Sequence, residues 1–317
     1  MLKELKFVMG AVAKKEFVPA MTHFAIEKGR VRSFNGTLAL SSPIPFDIDC
    51  KPKATTLVKA IQQCKETVSL HITPSGKLSV KSGVFKALID CVQDDTPHVQ
   101  PEGEHIELDG EALLKAFKSI YTFVGDDASR PWTNGILLRG QSAYATNNVC
   151  LVEYWIGPHF PRVVNLPRAA IAEIIRIDEP PTHAQSSENS FTFHYSDGRW
   201  IRTQLFSTDW PDLEPILNRA ATPTAIDTRI FDALESLKPF ADKTGRVIFE
   251  PGYACTHIAD EEGSRYELEG SDMKGIYAIE MLALLNGVAS TADFSTYPKP
   301  CIFYGDRLRG AIIGRTM

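Results

Sequence analysis

Residues 130–177 have the sequence RPWTNGILLRGQSAYATNNVCLVEYWIGPHFPRVVNLPRAAIAEIIRI. The run NGILLRG is rich in residues of high β-propensity, and a Gly-Gln-Ser turn is predicted to separate it from the strands AYATNN and VCLVEYWI. The spacing of apolar residues then changes to that of a helix, because Ala170, Ile171 and Ile174 lie on one stripe of an amphipathic helix. Asn165 is predicted to cap this helix, so the stretch is predicted to be a β-meander followed by a helix.

The face of this helix opposite its apolar stripe carries two arginines, Arg168 and Arg176, about two turns apart. A helix that packs on a sheet through one face and carries cations on the other presents positive charge to a partner. The stretch therefore indicates a surface that binds a negatively charged partner.

The composition is typical of a soluble globular protein, with 317 residues, 44% hydrophobic content and 23% charged content. This length is sufficient for two or three domains with substantial cores. No apolar run reaches the roughly 18 residues of a membrane span. Charges also interrupt the amphipathic N-terminus, so it does not resemble a signal peptide. We therefore expect a cytoplasmic protein.

The six cysteines are widely separated and form no C-x-x-C pair, which predicts free buried thiols in a reducing compartment. The formal net charge of −5 at pH 7 argues against a protein that coats nucleic acid non-specifically. A local basic face still attracts phosphates, so the charge is compatible with DNA contact at such a face.

The order helix, strands, helix, strands occurs three times along the chain. The first helices of the three copies are predicted at residues 2–15, from near Asp109, and at residues 228–237. The second helices start near residues 55, 168 and 280, a period of roughly 110 residues. The fold class is therefore predicted to be α+β, with three repeated domains at residues 1–103, 104–220 and 221–317.

A chain of three such domains forms an arc if each domain turns both helices to one side. Two copies joined head to tail would then close a ring, with helices inside, sheets outside and DNA in the centre. Basic side chains on the inner helices would contact phosphates without fixing sequence or register, as a sliding protein requires. Ordinary solvated helix faces are the alternative interpretation. The predicted DNA-facing residues are Lys3, Lys6, Lys14, Lys59, Lys115, Lys118, Arg168 and Arg176.

Several short motifs follow one another in the middle of the chain. They are Arg130 and Asn134-Gly135 before a hydrophobic strand, Ala145-Thr146 before a turn and Leu151, the helix pattern from Val164 to Ile174, and Phe206 with Trp210-Pro211-Asp212. In this order they resemble the middle domain of the bacterial DNA polymerase III β subunit family, the DNA sliding clamps. The resemblance covers residues 104–220 best, whereas the flanks match mainly in the layout of their elements.

The resemblance implies a non-enzymatic processivity factor of DNA replication, a homodimer that encircles duplex DNA and tethers a DNA polymerase. A clamp loader is a further implied partner, and neither a cofactor nor a metal ion is implied. Lys15 stands where the family places a DNA-contacting arginine, whereas Asp127 replaces a DNA-facing glutamine. The chain is shorter than typical bacterial members, which indicates a phage or otherwise mobile version acting in a bacterial or phage-infected cell.

The resemblance also implies a groove that binds short apolar peptides of polymerases and loaders. Thr133 stands where the family has an apolar residue, and Asn148-Val149-Cys150 replaces its Gly-His-Arg, which predicts an altered peptide preference. The implied groove residues are Thr146, Asn148, Val149, Cys150, Leu151, Pro211, Pro215, Ile216, Ile312 and Ile313.

Dimerisation is expected to pair an outer strand of the first domain with an outer strand of the third. The first edge is basic and the second is acidic, so opposite charges would set the register of the pairing. A charged edge that only prevents aggregation is the alternative. The predicted interface residues are Lys77, Lys81 and Lys86 on one side and Glu261 and Glu262 on the other, with Asp260, Glu267 and Glu269 nearby.

Two further functional classes are weaker. A clamp-fold DNA-binding or scaffold protein that does not encircle DNA would share the same sequence features. Lys243-Thr244-Gly245 and the Ser271-x-x-Lys274 pattern occur in penicillin-recognising serine enzymes, but here their order is reversed and no Ser-Asp-Asn element is present. Nucleotide-binding and zinc-protease motifs are also missing from the sequence. The aromatic residues Phe191, His194, Tyr195 and Trp200 fit a sheet better than a base-stacking platform.

Overall fold

The computed structural model describes residues 1–15, 18–257 and 263–316. The chain is divided into two compact units, each assembled from two segments. Unit 1 contains Met1–Leu114 and Ala169–Leu205, and unit 2 contains Lys115–Arg168 and Phe206–Met317. The division into three domains at residues 103 and 220 stays a prediction.

The α-helices of the described residues are α1 (Leu2–Val8), α2 (Ala54–Gln63), α3 (Gly110–Ile120), α4 (Arg168–Ile177), α5 (Glu214–Leu217), α6 (Arg229–Leu237) and α7 (Ile279–Ala283). The strands are β1 (Ala25–Glu27), β2 (Arg30–Phe34), β3 (Leu38–Pro43), β4 (Ser69–Ile72), β5 (Leu78–Ser82), β6 (Phe85–Ile89), β7 (Glu104–Glu107), β8 (Gly135–Thr146), β9 (Cys150–Pro167), β10 (His183–Ser186), β11 (Ser190–His194), β12 (Trp200–Gln204), β13 (Thr224–Ala225), β14 (Arg246–Glu250), β15 (Tyr253–Cys255), β16 (Arg265–Glu267), β17 (Gly275–Ala278), β18 (Thr291–Ala292), β19 (Cys301–Gly305) and β20 (Leu308–Ile312).

Unit 1 contains two open antiparallel sheets. The larger has seven strands in the order β1-β2-β3-β12-β11-β10-β7, and the smaller has the order β4-β5-β6. The larger sheet joins β3 to β12, which are far apart in sequence, with Leu40 opposite Ile201. The β2–β3 hairpin turns at Asn35-Gly36, a favourable hairpin dipeptide, and the Asn35 side chain accepts hydrogen bonds from the backbone N–H groups of Thr37 and Leu38.

Unit 2 also contains two open sheets, of six and four strands. The six-stranded sheet has the order β13-β18-β19-β20-β9-β8, and the four-stranded sheet has the order β16-β15-β14-β17. The pairing of β20 with β9 brings Ile312 opposite Cys150, although they are distant in sequence. Helices and sheets are thus mixed in both units, which confirms the predicted α+β class.

The predicted second helices begin at Ala54, Arg168 and Ile279, which confirms the spacing of roughly 110 residues. The N-terminal helix was predicted to reach residue 15 but ends at Val8, where a 3-10 turn begins. At Gly10 the backbone passes so close to the Glu173 carboxylate that a Cβ would lie 1.7 Å from its oxygen. The expected long helix is therefore wrong, because glycine and this close approach end it.

Residues 130–177 also fold differently from the prediction in two respects. Gly140 was predicted to lie in a turn between strands, but β8 continues through it as a bulge with a φ of 61°. Asn165 was predicted to cap α4, but it lies in β9 and is fully buried. Its side-chain amide donates to the backbone carbonyls of Trp132 and Ser207. It therefore satisfies buried backbone groups instead of a helix end.

Candidate nucleic-acid interface and client groove

Three predicted DNA-facing residues of unit 1 line one shallow cleft of about 400 Å³, with α1 on one side and α4 on the other. Lys3 forms an ion pair with Glu179 at 3.3 Å. Arg176 pairs with Glu173 and donates to the Phe7 carbonyl at 3.1 Å, so it also ties α4 to α1. Among the described residues Lys6 has no ion pair, and it is the cation of this cleft that remains available to phosphate.

The other basic residues of unit 1 are exposed. Lys14 and Lys15 follow the 3-10 turn after α1, and Lys59 projects from α2. Helix α2 packs against α1 through its apolar stripe, in which Leu57 and Ile61 are buried. Lys14 and Lys59 form no ion pair within residues 1–15, 18–257 and 263–316. Unit 1 thus carries exposed lysines on two neighbouring helices.

The basic residues of unit 2 lie on and beside α3. Lys115 and Lys118 are exposed on one side of this helix, whose Ala116 and Phe117 are buried. Lys115 forms an ion pair with Asp306 at 3.4 Å. Arg168, the first residue of α4, is half-buried and stacks over the Tyr121 ring with its guanidinium carbon 5.5 Å from the ring centre. The Lys115–Asp306 ion pair is exposed on both sides, so it contributes little to stability.

The predicted groove residues are brought together in unit 2. Strand β20 lies beside β9, so Ala311 is opposite Leu151, and the Ile313 N–H donates to the Val149 carbonyl at 3.0 Å. Leu151 packs against Leu213 and Leu217 of the α5 region, and Ile216 lies against the same cluster. Residues from the β8–β9 turn, from α5 and from the end of β20, which the resemblance implied as groove residues, are therefore adjacent.

The groove residues differ in how accessible they are. Cys150 and Ile312 are fully buried, and Leu151 and Thr146 are each 7% exposed, so these four predicted groove residues lie in the core. Burial raises the pKa of the Cys150 thiol to about 12, so it remains protonated. Ile313 is 44% exposed, Val149, Ile216 and Asn148 are half-buried, and Pro211 and Pro215 are exposed, so these residues are accessible to a partner.

Several residues that pack around the predicted groove residues were not predicted from the sequence. Trp210 and Tyr144 pack against the Leu151 cluster, and the Trp210 ring lies 5.0 Å from the Trp132 ring. Asn147 orders the turn between β8 and β9, because its side-chain oxygen accepts from the Val149 and Cys150 N–H groups. The i, i+4 spacing of Leu213 and Leu217 was the sequence signal for this wall.

The predicted dimer residues lie in different places. Lys86 is exposed on β6, an edge strand, and Lys81 is its cross-strand partner on β5. Lys77 forms an ion pair with Asp90 at 2.7 Å. Glu261 and Glu262, with Asp260, lie outside the described residues.

The residues of the weaker enzyme hypothesis do not form one site. Ser271 and Lys274 line a cavity of about 800 Å³ in unit 2, whereas Lys243, Thr244 and Gly245 are not among its lining residues. Thr244 instead belongs to a turn in which Asp242 accepts its hydroxyl. In the described part of the chain, no group of three His, Cys, Asp or Glu side chains is arranged to hold a metal ion. No described helix has the length and apolarity of a membrane span.

No protein-family model matches the sequence, and no curated protein matches it significantly. Solved structures do match over the whole chain. The DnaN sliding clamp (DNA polymerase III subunit beta) of Bartonella birtlesii bound to griselimycin has a TM-score of 0.86 at 15% identity, with 100% of this chain and 97% of that chain covered. The corresponding Pseudomonas aeruginosa clamp bound to griselimycin has a TM-score of 0.84 at 15% identity, with the same coverage.

The DNA polymerase sliding clamp of Bacillus subtilis matches with a TM-score of 0.83 at 13% identity, again over 100% of this chain and 97% of that one. Three organisms thus supply structures with the same arrangement of elements, at identities too low to show more than the fold. The chain has the fold of the bacterial DNA polymerase III β sliding clamps.

Proposed function

We propose that this protein is a DNA polymerase sliding clamp, a non-enzymatic processivity factor that encircles duplex DNA as a head-to-tail homodimer. The observation that carries the proposal is the likeness of the entire chain to clamps of three bacteria, with 97% of each of those chains covered. Exposed lysines on α1, α2 and α3 supply the positive charge such a protein needs. We place the binding of a polymerase or clamp loader at the apolar cluster of Leu151, Leu213 and Leu217, because Ile216 is only half-buried against it.

The sheet topology supports closure of a ring. In each junction along the chain, the last strand of one predicted domain pairs with an inner strand of the preceding domain: β12 with β3, and β20 with β9. Two strands that this pattern would pair are left at sheet edges. One is β6, the last strand of the first predicted domain. The other is β16, which occupies in the third predicted domain the position that β3 has in the first. A second copy would pair its β16 with β6 of the first copy. This pairing would repeat, between chains, the pairing that joins β12 to β3 and β20 to β9 within the chain.

Lys6→Gln with Lys59→Gln is expected to weaken DNA binding and to flatten its salt dependence. Each phosphate contact contributes about 0.9 to the slope of log K against log salt, so the slope should fall by up to about 2. Binding to a short duplex between about 50 and 200 mM salt measures this slope. The matched control, Lys28→Gln with Lys243→Gln, removes two exposed lysines at strand turns. If log K falls equally steeply with log salt in the two variants, Lys6 of α1 and Lys59 of α2 do not contact DNA.

Retention on DNA of different topology tests encirclement directly. The protein is loaded on nicked circular duplex, freed of unbound protein by gel filtration, and the circle is then linearised. A ring slides off the free ends, so retention is expected to fall at least tenfold and to be restored when both ends are blocked by bound protein. Equal retention on circular and linear DNA would overturn the proposal.

A clamp-fold protein that binds DNA without encircling it is the second candidate. Intrachain carboxylates partly neutralise Lys3, Lys115 and Arg176, which favours weaker contact than a fully basic surface would give. The retention experiment separates the two candidates, because only the ring depends on the ends of the DNA.

A further inference from the structure

The Leu151 cluster lies at one end of a longer face of the six-stranded sheet, on which Leu151, Thr146 and Ser142 are buried and Trp155, at the other end, is exposed. Cross-strand partners share a face, so Thr146 with Leu151, Tyr144 with Glu153, and Ser142 with Trp155 form three successive rows. Strand β20 adds Arg309 beside Glu153. Successive rows are two residues apart, so Trp155 lies about 13 Å from Leu151 along β9.

The opposite face of this sheet is already occupied. Phe303 shares that face with Gly310, Val152 and Ala145 through their cross-strand pairing. The Phe303 ring stacks with Phe123, which follows α3, at 6.4 Å. The face with Leu151 and Trp155 is therefore separate from the helix that carries Lys115 and Lys118.

The far row of this face holds an exposed aromatic residue with a cation on it. Trp155 is 49% exposed, and the Arg307 guanidinium carbon lies 4.5 Å from the centre of its ring. The backbone N–H of Trp155 donates to the backbone carbonyl of Arg307 at 2.8 Å, which fixes the two residues side by side. Gly157, with a φ of 101°, leaves room for the guanidinium, because a Cβ there would lie 3.2 Å from it.

A second stacked arginine lies on the neighbouring strand. The Arg139 guanidinium carbon lies 5.1 Å from the centre of the Tyr144 ring, and Tyr144 packs against the Leu151 cluster. Within the described residues neither Arg139 nor Arg307 has a carboxylate partner. The acids nearby are engaged: Glu153 accepts from Arg309 and Tyr144, and Asp306 pairs with Lys115.

A guanidinium stacked on an aromatic ring keeps its N–H edge free in a fixed orientation, which suits bidentate binding of a carboxylate. We propose that the client groove extends from Leu151 to Trp155 and selects peptides with an Asp or Glu about four residues from their apolar anchor. This rests on the proposed function, since it assumes that the Leu151 cluster binds a client. A peptide fits better than DNA, because the same face begins with an apolar cluster and lies opposite α3.

Panning a phage-displayed library of random 12-residue peptides against the full-length protein tests the proposal. Peptides that bind the unmodified chain but not an Ile216→Asp variant are sequenced and synthesised with a fluorescent label. An acidic residue is expected to be enriched about four positions from a Leu or Phe anchor. Changing that residue to its amide should weaken binding about tenfold, as measured by fluorescence anisotropy.

Arg307→Asn supplies the matching change in the protein, because asparagine tolerates the positive φ of 54° at this position. In this variant the acidic peptide and its amide should bind equally, whereas Lys243→Asn should keep the tenfold preference. If the recovered peptides need Ile216 but show no preference for an acidic residue, the proposed extension to Trp155 is wrong, whereas peptide binding at the Leu151 cluster is supported. Peptides insensitive to Ile216→Asp, or none recovered, would overturn both. Loss of duplex binding in Arg307→Asn, without an effect on peptides, would reassign the arginine to phosphate.

Discussion

Val149→Asp combined with Ile216→Asp is expected to abolish stimulation of the cognate DNA polymerase while the protein stays folded and dimeric. Both residues are half-buried at the groove, so a carboxylate is tolerated there at modest cost to stability. A bound client would bury that carboxylate against its own apolar anchor. Burial of one Leu or Phe anchor contributes about 1.5–3 kcal/mol, so loss of two contacts weakens binding by about 100-fold or more.

Primer extension on primed circular single-stranded DNA measures this effect as the length of product made in one binding event. Val163→Asp is the matched control, because Val163 is a 47% exposed valine on β9. Ile313→Asp should act in the same direction, since Ile313 is 44% exposed and its N–H donates to the Val149 carbonyl. Full stimulation by the double variant would place the client site elsewhere.

Local patterns in the sequence were sufficient for most helices. The apolar stripe of α4 was identified from a 3.6-residue period, and Ala170, Ile171 and Ile174 are indeed buried. The predicted start of α3 near Asp109 is also confirmed, because α3 begins at Gly110 and the Asp109 carboxylate accepts from the Ala112 N–H. These features depend on residues within one or two turns, so the sequence carries them directly.

Features that depend on distant residues were missed. The early end of α1 follows from the approach of Glu173 to Gly10, and the buried role of Asn165 follows from Trp132 and Ser207. The pairings of β12 with β3 and of β20 with β9 join strands separated by most of a domain or more. No local period encodes such a register.

The groove shows the same limit. Its residues 146–151 and 312–313 have no common local pattern, and the family resemblance alone placed them together. Burial then divided them, because Cys150 and Ile312 face the core whereas Ile313 is exposed. The sheet face from Leu151 to Trp155 was not predicted, since it depends on the cross-strand register of β8 and β9.

Lys81→Glu with Lys86→Glu is expected to shift the protein from dimer to monomer. Lys86 lies on the edge strand β6, and Lys81 is its partner on the same face. Leu88 is 53% exposed on this strand, and the proposed partner strand would cover it. The proposed partner strand β16 exposes Glu267, so reversal of the lysines would oppose like charges across the edge.

Sedimentation velocity over a range of concentrations measures the dimer Kd. Each exposed charge pair is worth about 0.2–1 kcal/mol, and its reversal adds repulsion of similar size. A head-to-tail ring of two copies contains the interface twice, so the changes count twice and the Kd should rise by about 100-fold or more. Lys28→Glu with Lys243→Glu makes the same change in net charge at strand turns away from β6, and should leave the Kd unchanged.

Restoration by a compensating change distinguishes a specific strand pairing from a general effect of charge. Glu267 is exposed and pairs with Arg265 of the same strand at 2.8 Å, so it can be replaced without loss of a buried contact. Adding Glu267→Lys to the chain that carries Lys86→Glu places opposite charges across the edge again, with the signs exchanged. Dimer formation should then recover, together with retention on circular DNA. A dimer that persists in the charge-reversed variant, or that Glu267→Lys fails to restore, would show that β6 and β16 do not meet.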